Sequence, residues 1–262
     1  MKIDLAGKVA LVCGASQGIG RAIAYQFAAS GAELILVARS ESKLKELSSD
    51  LTEITNKQHF YISCDISNID ELKKGVLGVL EKIGNVDILV NNTGGPPQGL
   101  LHTSDLYQLE KFFRQHILSA QKLITLLLPG MIKQAFGRII NVVSIGMRQP
   151  IYNLGVSNVV RGAMGSWAKT LSRELAHYGI TVNNILPGYT LTDRLKSIIQ
   201  NNANEKGISF NEEANFIIEN IPAKRFAKPE EIAFLATFLA SDYAAYINGT
   251  SIPVDGGFLS CI

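Results

Sequence analysis

The chain has 262 residues, 47% hydrophobic and 18% charged, which is enough apolar content to bury a sizeable core. Its 25 basic and 23 acidic residues leave a net charge of +2, and no basic run or one-sided basic helix marks it for nucleic acid. The longest apolar stretch, Leu123 to Ile132, contains Pro129 and reaches only about half the length of a bilayer span. No leader is expected from the first residues, and Cys13, Cys64 and Cys261 lack metal-like spacing, so reduced thiols in a cytoplasmic protein are expected, with neither metal nor membrane partner.

The first element is a strand, Val9–Cys13, apolar at consecutive positions as in a sheet buried on both faces. A glycine-rich turn follows, Gly14-Ala15-Ser16-Gln17-Gly18-Ile19-Gly20, and then a helix over Arg21–Ser30. Glycines between a strand and a helix start let backbone amides approach a pyrophosphate, and the helix dipole favours that anion. The second strand, Leu34–Ala38, ends at Arg39, where an NAD-selective site presents a carboxylate. A guanidinium there pairs with a 2′-phosphate, so NADP(H) is the preferred cofactor and NAD(H) stays open.

A helix over Ser42–Ile54, a strand over Phe60–Ser63 and a helix over Ile69–Ile83 come next, the strand leading into Cys64-Asp65-Ile66. The fourth strand, Ile88–Asn91, runs into Asn92-Thr93-Gly94 and a rigid Gly95-Pro96-Pro97 turn. A long helix is expected over Leu109–Gln134, a strand over Ile139–Val143 with Ser144 after it, and a second long helix over Val156–Tyr178. The sixth strand, Val182–Leu186, precedes Pro187-Gly188-Tyr189-Thr190-Leu191-Thr192. The Asn-rich stretch Leu191–Arg225 is the least regular part of the chain and is expected to act as a lid over a substrate. A helix over Pro229–Ala240 and a last strand, Ser251–Val254, close the sequence before Asp255-Gly256-Gly257. Seven such strands with interleaved helices predict one α/β domain, a Rossmann-type doubly wound parallel sheet with helices on both faces.

These motifs, in this order, resemble the short-chain dehydrogenase/reductase family along essentially the whole chain, and most nearly its 3-oxoacyl-acyl-carrier-protein reductase branch. The resemblance implies that Gly14, Ser16, Gln17, Gly18, Ile19 and Gly20 hold the pyrophosphate, and Asp65 and Ile66 the adenine. It implies the nicotinamide end beside Asn91, Thr93 and Gly94, with Pro187, Gly188, Thr190 and Thr192 holding its carboxamide. The family's four active-site residues are an asparagine, a serine, a tyrosine and a lysine. Here only the serine is present, as Ser144; His116, Ser157 and Arg161 take the other three places.

A serine hydroxyl is a far weaker acid than a phenol, whose ordinary pKa is about 10. Arg161 keeps a positive charge but relays no proton, and it is expected to hydrogen-bond the nicotinamide ribose, or to orient a neighbour that does. His116, Tyr152 and Tyr189 are the candidate replacements for the acid. Two readings stay open: an NADP(H)-dependent carbonyl reductase or alcohol dehydrogenase with an atypical proton donor, and a catalytically impaired or regulatory dinucleotide-binding homologue. The substrate is a small molecule or an acyl thioester, and Lys133, Arg138 and Lys169 form a possible docking face for an acidic carrier. The resemblance also implies a homodimer or homotetramer built on the two long helices, with Phe258–Ile262 near a second interface. Small residues on the second long helix (Gly155, Gly162, Ala163, Gly165) suit close helix approach.

Overall fold

A computed structural model describes residues 3–261. Strands β1 (Val9–Cys13), β2 (Glu33–Ala38), β3 (Phe60–Ser63), β4 (Ile88–Asn91), β5 (Gly137–Val142), β6 (Ile180–Pro187) and β7 (Ser251–Val254) form one parallel sheet. Its order is β3-β2-β1-β4-β5-β6-β7, so the topology reverses between β1 and β4. In open sheets of this kind the crevice beyond the carboxyl ends of the strands, at that reversal, is where ligands bind.

Strands β1 to β6 place side chains in cores on both faces of the sheet, which is why their sequence runs are largely apolar. In β1, Ala10 and Val12 face a core closed by α1 (Gly18–Ala29), α2 (Glu41–Thr55) and α9 (Pro229–Ala240). Leu11 and Cys13 face the opposite core, closed by α3 (Ile69–Ile83), α5 (Ser119–Gln134) and α6 (Gly155–Leu175). Leu34 and Leu36 of β2 join the first core, and Ile35 and Val37 the second. Each such fully buried side chain contributes about 1.5–3 kcal/mol of transfer free energy. All seven expected strands are present, displaced at their ends by no more than two residues.

Two expectations are corrected. The helix expected over Leu109–Gln134 begins earlier, as α4 (Leu106–Phe113), and passes through a π-helical turn, Arg114–Leu118, before α5. The stretch Leu191–Arg225 is not irregular: it folds as α7 (Asp193–Lys206) and α8 (Phe210–Glu219). Thr192 caps α7 by accepting from the Leu195 amide, and a reciprocal Ser209–Glu212 box caps α8. Leu195, Ile199, Ala214, Ile217 and Ile221 give the pair a small core of its own. Among the described residues no helix is long and apolar enough to cross a membrane.

The basic docking face is also corrected. Arg138 is 3% exposed, donates to the carbonyls of Gly137, Gly179 and Ser241, and lies 3.7 Å from Asp242, so it belongs to the interior of the sheet edge. Gly155 and Gly165 do allow close approach, but to Leu101 and Met147 of the same chain. Phe258 and Leu259 pack against the chain's own side chains, Cys261 is exposed, and Ile262 lies outside the described residues.

Candidate active site

The glycine turn after β1 is shaped for close approach. Gly14 and Gly18 take left-handed φ values of 62° and 56°, which cost side-chain-bearing residues steric strain. A side chain at Gly20 would strike the Gly14 carbonyl, so the turn and the helix start interlock. Asn92, from the end of β4, donates to the carbonyls of Cys13 (3.2 Å) and Gly14 (3.4 Å) and pins the turn from beneath. The N-cap of α1 is Gln17, whose side chain caps nothing. The first-turn amides of α1 therefore face outward as donors for an anion.

At the adenosine side, Arg39 is exposed and Asp65 accepts from the Ser67 amide (2.9 Å) and hydroxyl (2.7 Å). Burial pushes the Asp65 carboxyl up, but those two hydrogen bonds and the Arg39 charge hold it below its ordinary range. Lys43, in the first turn of α2, donates to Gln17 Oε1 at 3.2 Å and so stands against the glycine turn. The sequence reading missed it, although a cation in the first turn of the helix after β2 was a usable signal.

At the other end of the crevice, Asn91 is committed inside the sheet. It donates to Asn141 (2.8 Å), Asn141 donates to Asn184 (2.9 Å), and Asn184 donates to Ser251 (3.0 Å), a buried ladder across β4, β5, β6 and β7. In-register pairing sets these residues side by side, and the ladder satisfies their amides across four neighbouring strands. Beyond it, Thr93 shares a 2.7 Å hydrogen bond with His116 Nδ1, and the Gly94 carbonyl accepts from Gln115 at 2.7 Å. The π turn thus faces the loop after β4, as such turns often do at functional sites. Ser144 accepts from the Gly146 amide (3.1 Å), which fixes its hydroxyl at the end of β5.

Pro187 and Thr190 are buried at the end of β6, and Thr190 donates to the Gly188 carbonyl at 3.3 Å. The Thr192 methyl lies 3.2 Å from where a Gly18 side chain would begin, so the start of α7 meets the glycine turn across the crevice. The residues assigned from the sequence to the pyrophosphate and to the carboxamide therefore border one space.

Arg161 is buried on α6 and donates through Nη1 to the Val142 carbonyl at 3.0 Å. Among the described residues it forms no ion pair with an acid. Burial first, and then the nearby Arg194 charge, lower its pKa to about 10, so it stays a cation at neutral pH. Arg194, in the first turn of α7, was not anticipated; it donates to the Pro96 carbonyl at 2.6 Å. His116 was expected to titrate in the catalytic range, and that is corrected. Burial, then the Arg161 and Arg194 charges, push it well below its ordinary value, so its imidazole is neutral at pH 7. Ser157 is half-buried one turn before Arg161, Tyr152 is 86% exposed, and Tyr189 packs edge-on against Phe258 at 5.3 Å.

A glycine cradle at a helix start, at the carboxyl edge of a parallel sheet, has the form of a dinucleotide-binding turn. The family model described as enoyl-(acyl carrier protein) reductase matches residues 14–259. The chain belongs to the short-chain dehydrogenase/reductase family. It is 34% identical to the 3-oxoacyl-[acyl-carrier-protein] reductase FabG of Vibrio cholerae, over 97% of this chain and 98% of that protein. It is 31% identical to the NADPH-dependent reductase BacG of Bacillus subtilis, over 97% and 99% of the two chains. The L-sorbose reductase of Gluconobacter frateurii, solved with NADPH and L-sorbose, superposes with a TM-score of 0.95 at 32% identity, covering both chains completely.

Proposed function

We propose that this protein is an NADP(H)-dependent oxidoreductase moving a hydride between the nicotinamide and a carbonyl or alcohol carbon, in the manner of the 3-oxoacyl-acyl-carrier-protein reductases. The observation that carries the reading is the glycine turn. Its left-handed Gly14 and Gly18 and its uncapped helix start form a cradle that a Cβ at Gly20 would destroy. The comparisons with NADPH-dependent relatives support the same choice of cofactor.

Gly14, Ser16, Gln17, Gly18, Ile19 and Gly20 hold the pyrophosphate, Asp65 and Ile66 the adenosine, and Arg39 with Lys43 the 2′-phosphate. NAD(H), which lacks that phosphate, makes no use of the two cations. Thr93 and Gly94 border the nicotinamide ribose on one side, on a loop that buried Asn91 anchors to the sheet; Pro187, Gly188, Thr190 and Thr192 border the carboxamide on the other. The nicotinamide, when bound, supplies or takes up the hydride. Ser144 donates to the substrate oxygen. Arg161 sets a fixed positive charge at the ribose edge that favours the developing alkoxide. Ser157 is a ribose or water ligand, neutral His116 is the hydrogen-bond partner of Thr93 rather than a stored acid, and Tyr152 and Tyr189 are left as the candidate proton donors. The substrate is a small carbonyl compound or an acyl thioester.

The whole chain acts as one dinucleotide-binding domain with residues 191–225 as its lid. Exposed Leu106, Tyr107, Phe113, Leu118 and Val159 on α4 to α6 support a homodimer or homotetramer built there, in the cytoplasm. Calorimetric titration tests the cofactor reading: NADPH is expected to bind at least tenfold tighter than NADH, with the preference lost in an Arg39→Ala/Lys43→Ala variant. Equal affinities in the unmodified protein would refute it.

A further inference from the structure

Arg161 and Arg194 approach the Gly94–Pro97 turn from different elements, α6 and the first turn of α7. A Cβ at Gly95 would stand 3.1 Å from Arg194 Nη2 and 3.4 Å from Arg161 Nη2, so the glycine lets both guanidiniums close on the same point of the turn. Neither is neutralised, since among the described residues no carboxylate comes within ion-pair distance of either. Arg161 is 8% exposed, and its Nε is buried without a hydrogen-bond partner. Buried charges are ordinarily paired, and buried donors ordinarily satisfied. His116, the remaining titratable group here, cannot compensate, because a base brings no negative charge. Two unpaired guanidinium forks converging on one glycine, one of them with an unused donor, suit an oxyanion that neither α6 nor α7 provides.

We propose that Arg161 and Arg194 bind a carboxylate of the substrate itself, so that the preferred substrates are carbonyl compounds that also carry a carboxylate. The inference rests on the reductase reading and names its substrate class. The planar two-oxygen carboxylate matches a guanidinium fork; phosphate presents the same charge and serves as the competing probe. Arg161 has donors for this and for a ribose contact, because Nη1 alone is engaged by the protein. Arg194 is therefore the discriminating residue.

Two measurements test it. In the first, acetoacetate and levulinate are compared with their methyl esters as substrates with NADPH. The acids are expected to show at least tenfold higher kcat/KM, and the acid-to-ester ratio to fall towards one in Arg194→Gln and recover in part in Arg194→Lys. In the second, levulinate is titrated into the NADPH-saturated protein; saturable binding is expected, reduced at least tenfold in Arg194→Gln, with NADPH affinity held within twofold. Gly95→Ala is a second variant that keeps both arginines: Gly95 has no left-handed φ, so the added methyl strains no backbone but presses on both guanidiniums, and levulinate binding should weaken. Equal use of acids and esters, tighter binding of inorganic phosphate than of levulinate, or loss of NADPH affinity with Arg194 would each overturn the proposal. Levulinate binding that depends on Arg194, with no turnover of any pair, would uphold the carboxylate site and refute the reductase reading instead.

Discussion

Arg161 and Ser157 share one face of α6, yet the structure gives them unequal surroundings. Arg161 is buried and anchored to Val142, whereas Ser157 is half-buried and its hydroxyl has no hydrogen bond among the described residues. Arg161→Ala is expected to weaken NADPH binding by about 1–3 kcal/mol, the range for hydrogen bonds involving charged groups, while Ser157→Ala changes it little; calorimetry of the two variants separates the roles. His116 carries a pH signature. Its folded pKa is depressed, so between the unfolded value near 6.5 and the lower folded value the unfolded chain binds the extra proton. Stability is therefore fully present above about pH 6.5 and is lost as pH falls below it. His59, lowered mainly by its burial, acts in the same direction. Thermal melts from pH 7.5 to 5.5 should show a falling Tm, and His116→Asn, which keeps a polar group near Thr93, should flatten the fall. An unchanged slope would show that His116 binds its proton equally well in the folded and unfolded chain, against a depressed folded value.

At the scale of elements, strands and motif loops were legible because a parallel strand buried on both faces declares itself as an unbroken apolar run. The helices α7 and α8 were not, because asparagines at 201, 202 and 204 lower helix propensity and read as loop. The signals that win are local: the caps at Thr192 and Ser209, the left-handed Gly207, and Leu195, Ile199 and Ala203 at four-residue spacing. The π turn was illegible for a different reason, since apolar spacing on the two sides of one extra residue still looks like a single helix. It brings His116 and Gln115 to the loop after β4, and hence the histidine's place in the site was visible from the motif count but its environment was not. Because α7 and α8 share a small core, Ile199→Ala, at a fully buried position, should cost about 2–5 kcal/mol, felt first in this pair. Limited proteolysis should cleave the variant within 191–225 faster than the unmodified protein, and NADPH should slow the cleavage if the pair closes on cofactor. Cleavage elsewhere first would contradict a lid with its own core.

For the molecule as a whole, the order β3-β2-β1-β4-β5-β6-β7 brings the loops after β1, β4, β5 and β6 to the crevice at the carboxyl edge of the sheet, where Thr192 meets Gly18. Exposed apolar side chains on α4 to α6 are the surface expected to pair in an assembly; light scattering should give a mass of two or four times 28.5 kDa, and a monomer mass would contradict it. The central claim is that this crevice performs hydride transfer without the tyrosine and lysine its family uses. Deuterium tracing tests it most directly: the protein is incubated with NADPH deuterated at nicotinamide C4 and with acetoacetate or levulinate, and the products are read by mass spectrometry. Our account predicts deuterium on the former carbonyl carbon, with the signal strongly reduced in Ser144→Ala. Tight NADPH binding with no deuterium delivered to any carbonyl compound would contradict it.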